Sequence, residues 1–536
     1  MSFARTHGQT QTNTDLHGPE GRESAPLPSV QVRARPCSAV RASEPLAGRP
    51  GWLFWLAFAV ALAARLACLD VRPLHHDEGV NAWFLWDLLE GRGYSYNPDA
   101  FHGPFLYFAG WLPGRLLGLG TVALRLPVAL ASALMIPLLL PLRRRMGVAG
   151  ITGAAWLLAL SPSLICYGRD FIHETYLAVL TLALVAVGSV WLETRRRRDF
   201  LVLAAVLALL FTVKETAVLT VAGLAVAAGV ASWFAAGPAG LRGWLSARVP
   251  GNRDLALAAA VFAAIWILFF TTFFTNPAGL ADSVRAFLPW VQKGVQGSGH
   301  EKPWTYFPEV LLRFEALTVA GALGGAAVAV RRRDPWGIFC AFWFASQLAL
   351  YSAIPYKTPW LMINIVLPGA LTAGVLFREL AGRPWPVAVR GGLAALLAAG
   401  LGWSAWRAAD VAVRRYDDPA LDLVYSDTSR EVWDLLAFVR AAAARDHDPD
   451  GVTLTAYLAS RWPLPWYLHD LPHTDWKTQV EGQPTDAILL ADRGQESALS
   501  PLLRRGYRRK RFLLRPGVEV DVWVRGDLWG PPAANR

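Results

Sequence analysis

Long apolar runs recur at about 51–70, 121–142, 148–166, 175–193, 200–213, 216–235, 255–274, 309–330, 335–353, 359–377 and 391–406. A helix rises 1.5 Å per residue, so a run of about twenty crosses roughly 30 Å of hydrocarbon. In lipid the backbone must satisfy its own hydrogen bonds, and unbroken apolar runs can do so only as helices. The chain is therefore expected to be an α-helical polytopic membrane protein of about eleven transmembrane helices. With 54% hydrophobic and 17% charged residues over 536 positions, little of it reads as water-soluble.

The net charge of +11 does not point to nucleic acid, because the arginines sit in short clusters between apolar runs. Such clusters are retained on the cytoplasmic side and set orientation. Arg143 to Arg145, Arg195 to Arg198, the Arg242/Arg248/Arg253 stretch, Arg331 to Arg333 and the Arg378/Arg383/Arg390 stretch all fall on one side. The alternate loops hold Asp77, Glu78, Asp170, Glu174, Lys214, Glu215, Glu301 and Lys357, and are expected to face outward. This alternation requires that residues 101–119, with Pro104, Pro113 and Arg115, lie in the interface rather than cross. The first outer loop then runs over 71–120 and carries two surface-lying helices, one of them Val80 to Leu89.

Residues 1–50 are polar, lack periodicity and are expected to be a disordered cytoplasmic tail. The first apolar run is too long for a signal segment, so it reads as an uncleaved span. The transmembrane domain covers 51–406. Residues 407–536 are richer in charge and read as an extracytoplasmic α/β domain. It has a helix over Ser429 to Ala444 and strands over Val452 to Tyr457, Ala487 to Ala491 and Val518 to Val524. Cysteines 37, 68, 166 and 340 have no ligand-like spacing, which implies neither a disulfide framework nor a zinc site.

The order of polar motifs along the chain resembles a known family. His75-His76-Asp77-Glu78 follows the first span, His102-Gly103-Pro104-Phe105-Leu106-Tyr107-Phe108 comes next, and Arg169, Asp170 and Glu174 follow the third. With an outer tail domain, these features resemble the GT-C superfamily of polyprenyl-phosphate-sugar-dependent glycosyltransferases, in its protein O-mannosyltransferase and aminoarabinose-transferase branch. Tyr167-Gly168-Arg169 through Glu174, Lys214-Glu215-Thr216, Tyr356-Lys357-Thr358-Pro359-Trp360 and Trp462-Pro463-Leu464-Pro465-Trp466-Tyr467-Leu468 more closely resemble the flippase-activity-associated membrane proteins of that superfamily. The likeness covers roughly 51–525. It implies an inverting transferase in the plasma (inner) membrane, moving a sugar from a polyprenyl-phosphate carrier to a glycan, lipid or protein acceptor. A non-catalytic accessory or transporter for lipid-linked sugars is the alternative.

Sugar transfer passes through an oxocarbenium-like state and needs a carboxylate to take the acceptor's proton. Asp77 is the candidate base, with Glu78 orienting it or a metal; the alternative is a pair of acids favoured by the N-terminus of the next helix. The second outer loop should add an acid to the centre, Glu174 or else Asp170. A leaving lipid phosphate needs cations at the membrane surface, and His102, Arg169, Lys214 and Lys357 sit at span ends. Spacing along one helix would place Arg169 with His173 and Asp170 with Glu174. His76, His173, Glu215, Tyr356, Trp462 and Trp466 are candidate sugar or acceptor contacts, although the aromatic 462–467 loop can equally dock its domain on the membrane. The 278–307 loop, with Trp290, His300, Glu301, Lys302 and Trp304, can close over substrate. No cofactor is required on this reading; Asp77, Glu78 and Glu174 are hard oxygen donors that also suit Mg²⁺ or Mn²⁺.

Overall fold

The computed structural model describes residues 48–97, 102–246, 250–296, 299–448, 451–503 and 506–530. The 1–47 part of the tail, with Cys37, lies outside them, as does the Trp290 side chain. The chain forms α1 (Trp52–Leu66), then two helices, α2 (His76–Leu89) and α3 (Phe105–Leu117). There follow α4 (Thr121–Leu134), α5 (Arg143–Leu160), α6 (Pro162–Tyr167), α7 (His173–Thr194), α8 (Arg197–Val213), α9 (Ala217–Ser246) and α10 (Asn252–Phe270). The short α11 (Gly279–Arg285) and α12 (Phe287–Gln296) lead to α13 (Tyr306–Phe314), α14 (Ala316–Arg332), α15 (Pro335–Ala353), α16 (Ile363–Ala381) and α17 (Val387–Ala409). At 13 residues, roughly 20 Å, α3 is too short to cross.

Among the described residues seven helical stretches are long and apolar enough to cross a membrane, or eight with α13 and α14 as one span broken by a 106° bend. The chain is thus an integral membrane protein with fewer full-length spans than the expected eleven. The causes are local. With 15 residues, α1 is shorter than a bilayer, as is α8 with 17. A tight turn at Pro137–Leu142 joins α4 to α5, so that two apolar runs become one 40-residue stretch. That stretch is broken at Gly147, whose φ of 68° only glycine adopts without strain.

Small residues draw the bundle together around α16, which is almost wholly buried against α5, α14 and α15. A Cβ at Gly325 of α14 would lie 1.9 Å from the Thr372 carbonyl, and one at Gly150 of α5 2.8 Å from that of Gly374. Helices in lipid gain their association from such close contact. Arg65, the one charge in the first apolar run, is fully buried and donates to the Ala159 carbonyl at 3.0 Å and that of Leu158 at 2.8 Å. It thereby satisfies the end of α5, where a cation is favoured. At the periphery, α17 exposes Leu396 and Trp403, as a lipid-facing helix does.

The tail domain holds α18 (Glu431–Ala443), β1 (Thr453–Tyr457), α19 (Leu464–Tyr467), β2 (His473–Lys477), β3 (Ile488–Asp492), α20 (Glu496–Leu503), β4 (Tyr507–Arg515) and β5 (Val518–Arg525). Its sheet runs β2-β1-β3-β5-β4, with β1 parallel to β2 and β3, and β5 antiparallel to β3 and β4. Val520, Val522 and Val524 alternate onto the face covered by Leu435, Leu436 and Val439 of α18. Leu489 and Trp523 turn to the other face, under Leu499 and Leu503 of α20. The domain is seated on α2. A Cβ at Gly79 would come within 2.7 Å of Pro463, and the Tyr467 hydroxyl accepts the Leu74 N–H at 2.7 Å.

Candidate active site

The acidic pair does not sit at the exit of the first span. It forms the first turn of α2, after an extended segment, because His75 caps that helix: its Nδ1 accepts the Asp77 N–H at 3.0 Å, and its own N–H donates to Glu78 at 2.9 Å. The pair then divides. Glu78 is fully buried and takes bonds from Arg125 at 2.8 and 2.6 Å and from the Phe171 N–H at 2.8 Å. Despite burial, the Arg125 guanidinium holds its carboxyl down at about 2. Glu78 thus accepts four hydrogen bonds, from the His75 and Phe171 N–H groups and twice from Arg125, and anchors the first turn of α2. The Asp77 side chain is only half-buried and makes no hydrogen bond or ion pair among the described residues.

The 169–174 stretch also departs from expectation. Because α7 begins only at His173, Arg169 and Asp170 precede it and do not share a helical face with His173 and Glu174. Arg169 turns to the Cys68 carbonyl at 2.5 Å, closing the end of α1, and burial beside Arg72 lowers its guanidinium to about 10. Asp170 is buried in an ion pair with Arg72, which also reaches Asp427 at 3.6 Å. Both residues tie the 167–172 segment to its neighbours, Arg169 to the end of α1 and Asp170 to the segment before α2.

His173 and Glu174 point elsewhere. Glu174 pairs with Lys214 at the end of α8, both buried. His173 Nε2 lies 3.0 Å from the Gly103 carbonyl, with its ring 5.2 Å from that of His102. His102 Nδ1 meets Glu215 at 2.9 Å, and Glu215 accepts the Tyr96 hydroxyl at 3.2 Å. An alternating set of acids and bases thus lines the end of the bundle where α7 begins, α8 stops and α9 begins.

A third group comes from the loop before α16. Residues 300–302 pair with 355–357: a bridge joins Glu301 and Tyr356, Lys302 N–H donates to Pro355 at 3.2 Å, and Lys357 N–H donates to His300 at 3.0 Å. This ladder holds Lys357, a residue 1% exposed whose ammonium donates to the carbonyls of Lys302, at 3.0 Å, and Ile354. No carboxylate pairs with it among the described residues. His300 bonds Tyr425, over whose ring Lys302 lies at 4.6 Å.

Electrostatics tie the groups together. Burial first, and then Asp77 and Glu174, raise the Tyr356 phenol above its usual value; burial, then Glu215 and Asp77, raise that of Tyr107. Asp77 thus acts on both Tyr356 and Tyr107, Glu174 on the first and Glu215 on the second. The tail domain reaches the first turn of α2. Arg515 donates to His76 Nδ1 at 2.8 Å and to the Trp462 carbonyl at 3.2 Å. Burial, with Arg515 adding to it, lowers His76 to about 4 against the pull of Asp77. The half-buried Trp462 ring faces Trp83 at 5.9 Å. Trp466 is buried against α2, stacks on His469 and seats the domain on protein.

Arg72, Arg125, Tyr425, Asp427 and Arg515 were not foreseen. The carboxylates offered as metal donors do not meet: Glu78 is held by Arg125 and Glu174 by Lys214. Among the described residues no three His, Cys, Asp or Glu side chains converge as a metal site.

No protein-family model matches the chain, and no curated protein matches it. Solved structures do. ArnT from Cupriavidus metallidurans bound to undecaprenyl phosphate is similar with a TM-score of 0.62 and 18% identity, over 90% of this chain and 99% of that one. Its apo state gives 0.61. The Archaeoglobus fulgidus oligosaccharyltransferase tethered to an acceptor peptide gives 0.52 at 13% identity, over 86% of this chain and 72% of that one. The fold of this chain is accordingly shared with these solved structures.

Proposed function

We propose that the protein transfers a sugar from a polyprenyl-phosphate-linked donor to an acceptor hydroxyl at the outer membrane surface, by an inverting displacement with Asp77 as base. The observation that carries this reading is the state of Asp77. Among the acids singled out, Glu78, Asp170, Glu174 and Glu215 are each engaged by a cation or hydrogen-bond donor, whereas Asp77 is half-buried with a free carboxylate. A base must be unoccupied and within reach of the proton it takes. Lys357, a buried ammonium with no acidic partner, suits the leaving phosphate. The same fold in ArnT holds undecaprenyl phosphate.

The topology fits this reading if α1 and α8 cross despite their length and 121–160 crosses twice. That restores eleven spans, a cytoplasmic N-terminus and an outer tail domain, with every arginine block inside. The test is a reconstituted transfer assay with a panel of radiolabelled polyprenyl-phosphate sugars. Asp77→Asn should lose at least about a hundredfold in turnover while still binding donor lipid, and Lys357→Ala should weaken donor binding. Unchanged glycosylation together with altered lipid-sugar translocation in Asp77→Asn would replace the enzyme with an accessory of transport.

A further inference from the structure

A cavity of about 610 Å³ lies at the opposite end of α7 from Glu174, bounded by α7, α8, α9 and α15. The distance from Glu174 to Arg195 along α7 is roughly 30 Å, a full bilayer. The cavity has no part in the site above. Its lining extends from Arg195 inward to Leu184, roughly 16 Å along the helix. Leu224 and Phe339 make its depth apolar, and Arg145 and Arg195 stand at its outer end.

We propose that this cavity holds one anionic phospholipid of the leaflet on the arginine-rich side, its phosphate between Arg145 and Arg195 and an acyl chain along Leu224 and Phe339. Charge selects the headgroup. Arg144 and Arg145 share a single acid, Glu193, at 3.1 and 3.2 Å, and Arg195 has only the Trp191 ring, at 4.7 Å, and no carboxylate among the described residues. The local excess is positive, and guanidinium forks match phosphate oxygens. Two donors await the ester region. Ser189 Oγ and Trp336 Nε1 line the cavity, are buried, and have no hydrogen-bond partner among the described residues. Such groups are costly to leave unsatisfied in hydrocarbon, and both can donate to an ester carbonyl.

The test is native mass spectrometry of the full chain, purified in detergent, with phosphatidylglycerol or phosphatidylcholine of identical acyl chains. One phosphatidylglycerol should be retained in preference to phosphatidylcholine. The pair Arg145→Gln with Arg195→Asn, in which Asn keeps the left-handed backbone of position 195, should weaken retention about tenfold, about 1.4 kcal/mol. Ala228→Phe, which fills the cavity, should abolish it. If that variant does not fold, the charge variant decides. Equal retention of the two lipids, retention untouched by the charge variant, or displacement of the lipid by inorganic phosphate would overturn the proposal.

Discussion

Two neighbouring carboxylates with opposite fates define the residue scale. Glu78 is locked by Arg125, and removing one partner of a buried pair strands the other's charge. Glu78→Gln should therefore destabilise the protein by about 3–5 kcal/mol, seen as a large fall in its unfolding midpoint, whereas Asp77→Asn should leave the midpoint within about 0.5 kcal/mol of wild type and remove transfer. His76 gives a pH signature. It is neutral in the folded chain down to about 4, against its usual 6.5, so between these values only the unfolded state takes up the proton. Stability tied to it is whole above about 6.5 and declines as pH falls toward 4. The His76→Gln variant should show a shallower acid dependence of its thermal midpoint; an identical slope would assign the proton to another group. Asp77 was legible because two acids beside an apolar run are conspicuous. Its framework was not: Arg72, Arg125, Asp427 and Arg515 are single charges whose partners lie far away in sequence, and local spacing cannot pair Arg515 with His76.

At the scale of elements, burial decided what could be read. Apolar runs marked most of the helices, and β1, β3 and β5 showed through their hydrophobic patterns. The unforeseen β2 and β4 are the two edges of the sheet. Edge strands are commonly charged, which discourages pairing with other chains and hides the strand pattern, as in Arg508 to Arg511 of β4. The break before α7 was equally hidden, since Arg169 and Asp170 leave the helix for partners in α1 and before α2. Packing around α16 makes a direct prediction. Gly325→Val places side-chain atoms where the Thr372 carbonyl already sits, and should cost at least about 1–3 kcal/mol. Gly392→Val in α17, with open space around it, should be nearly silent in the same thermal assay.

For the whole molecule, orientation is the property that gives the site its side. In a cysteine-free background, Asp475→Cys of β2 should react with a membrane-impermeant maleimide in intact cells, and Arg198→Cys at the start of α8 only after permeabilisation. The reverse pattern would put the candidate site in the cytoplasm. One feature of the assembly also bears on the protein's biogenesis. The segment around residues 72–79 is completed by contacts to Tyr425, Asp427, Pro463, Tyr467 and Arg515. A nascent chain emerges in order, so its early helices are inserted well before these late partners exist. On this view a half-made or truncated polypeptide can lodge in the bilayer yet remain inert, and competence arrives only when the last strands have been delivered and folded back onto the first loop.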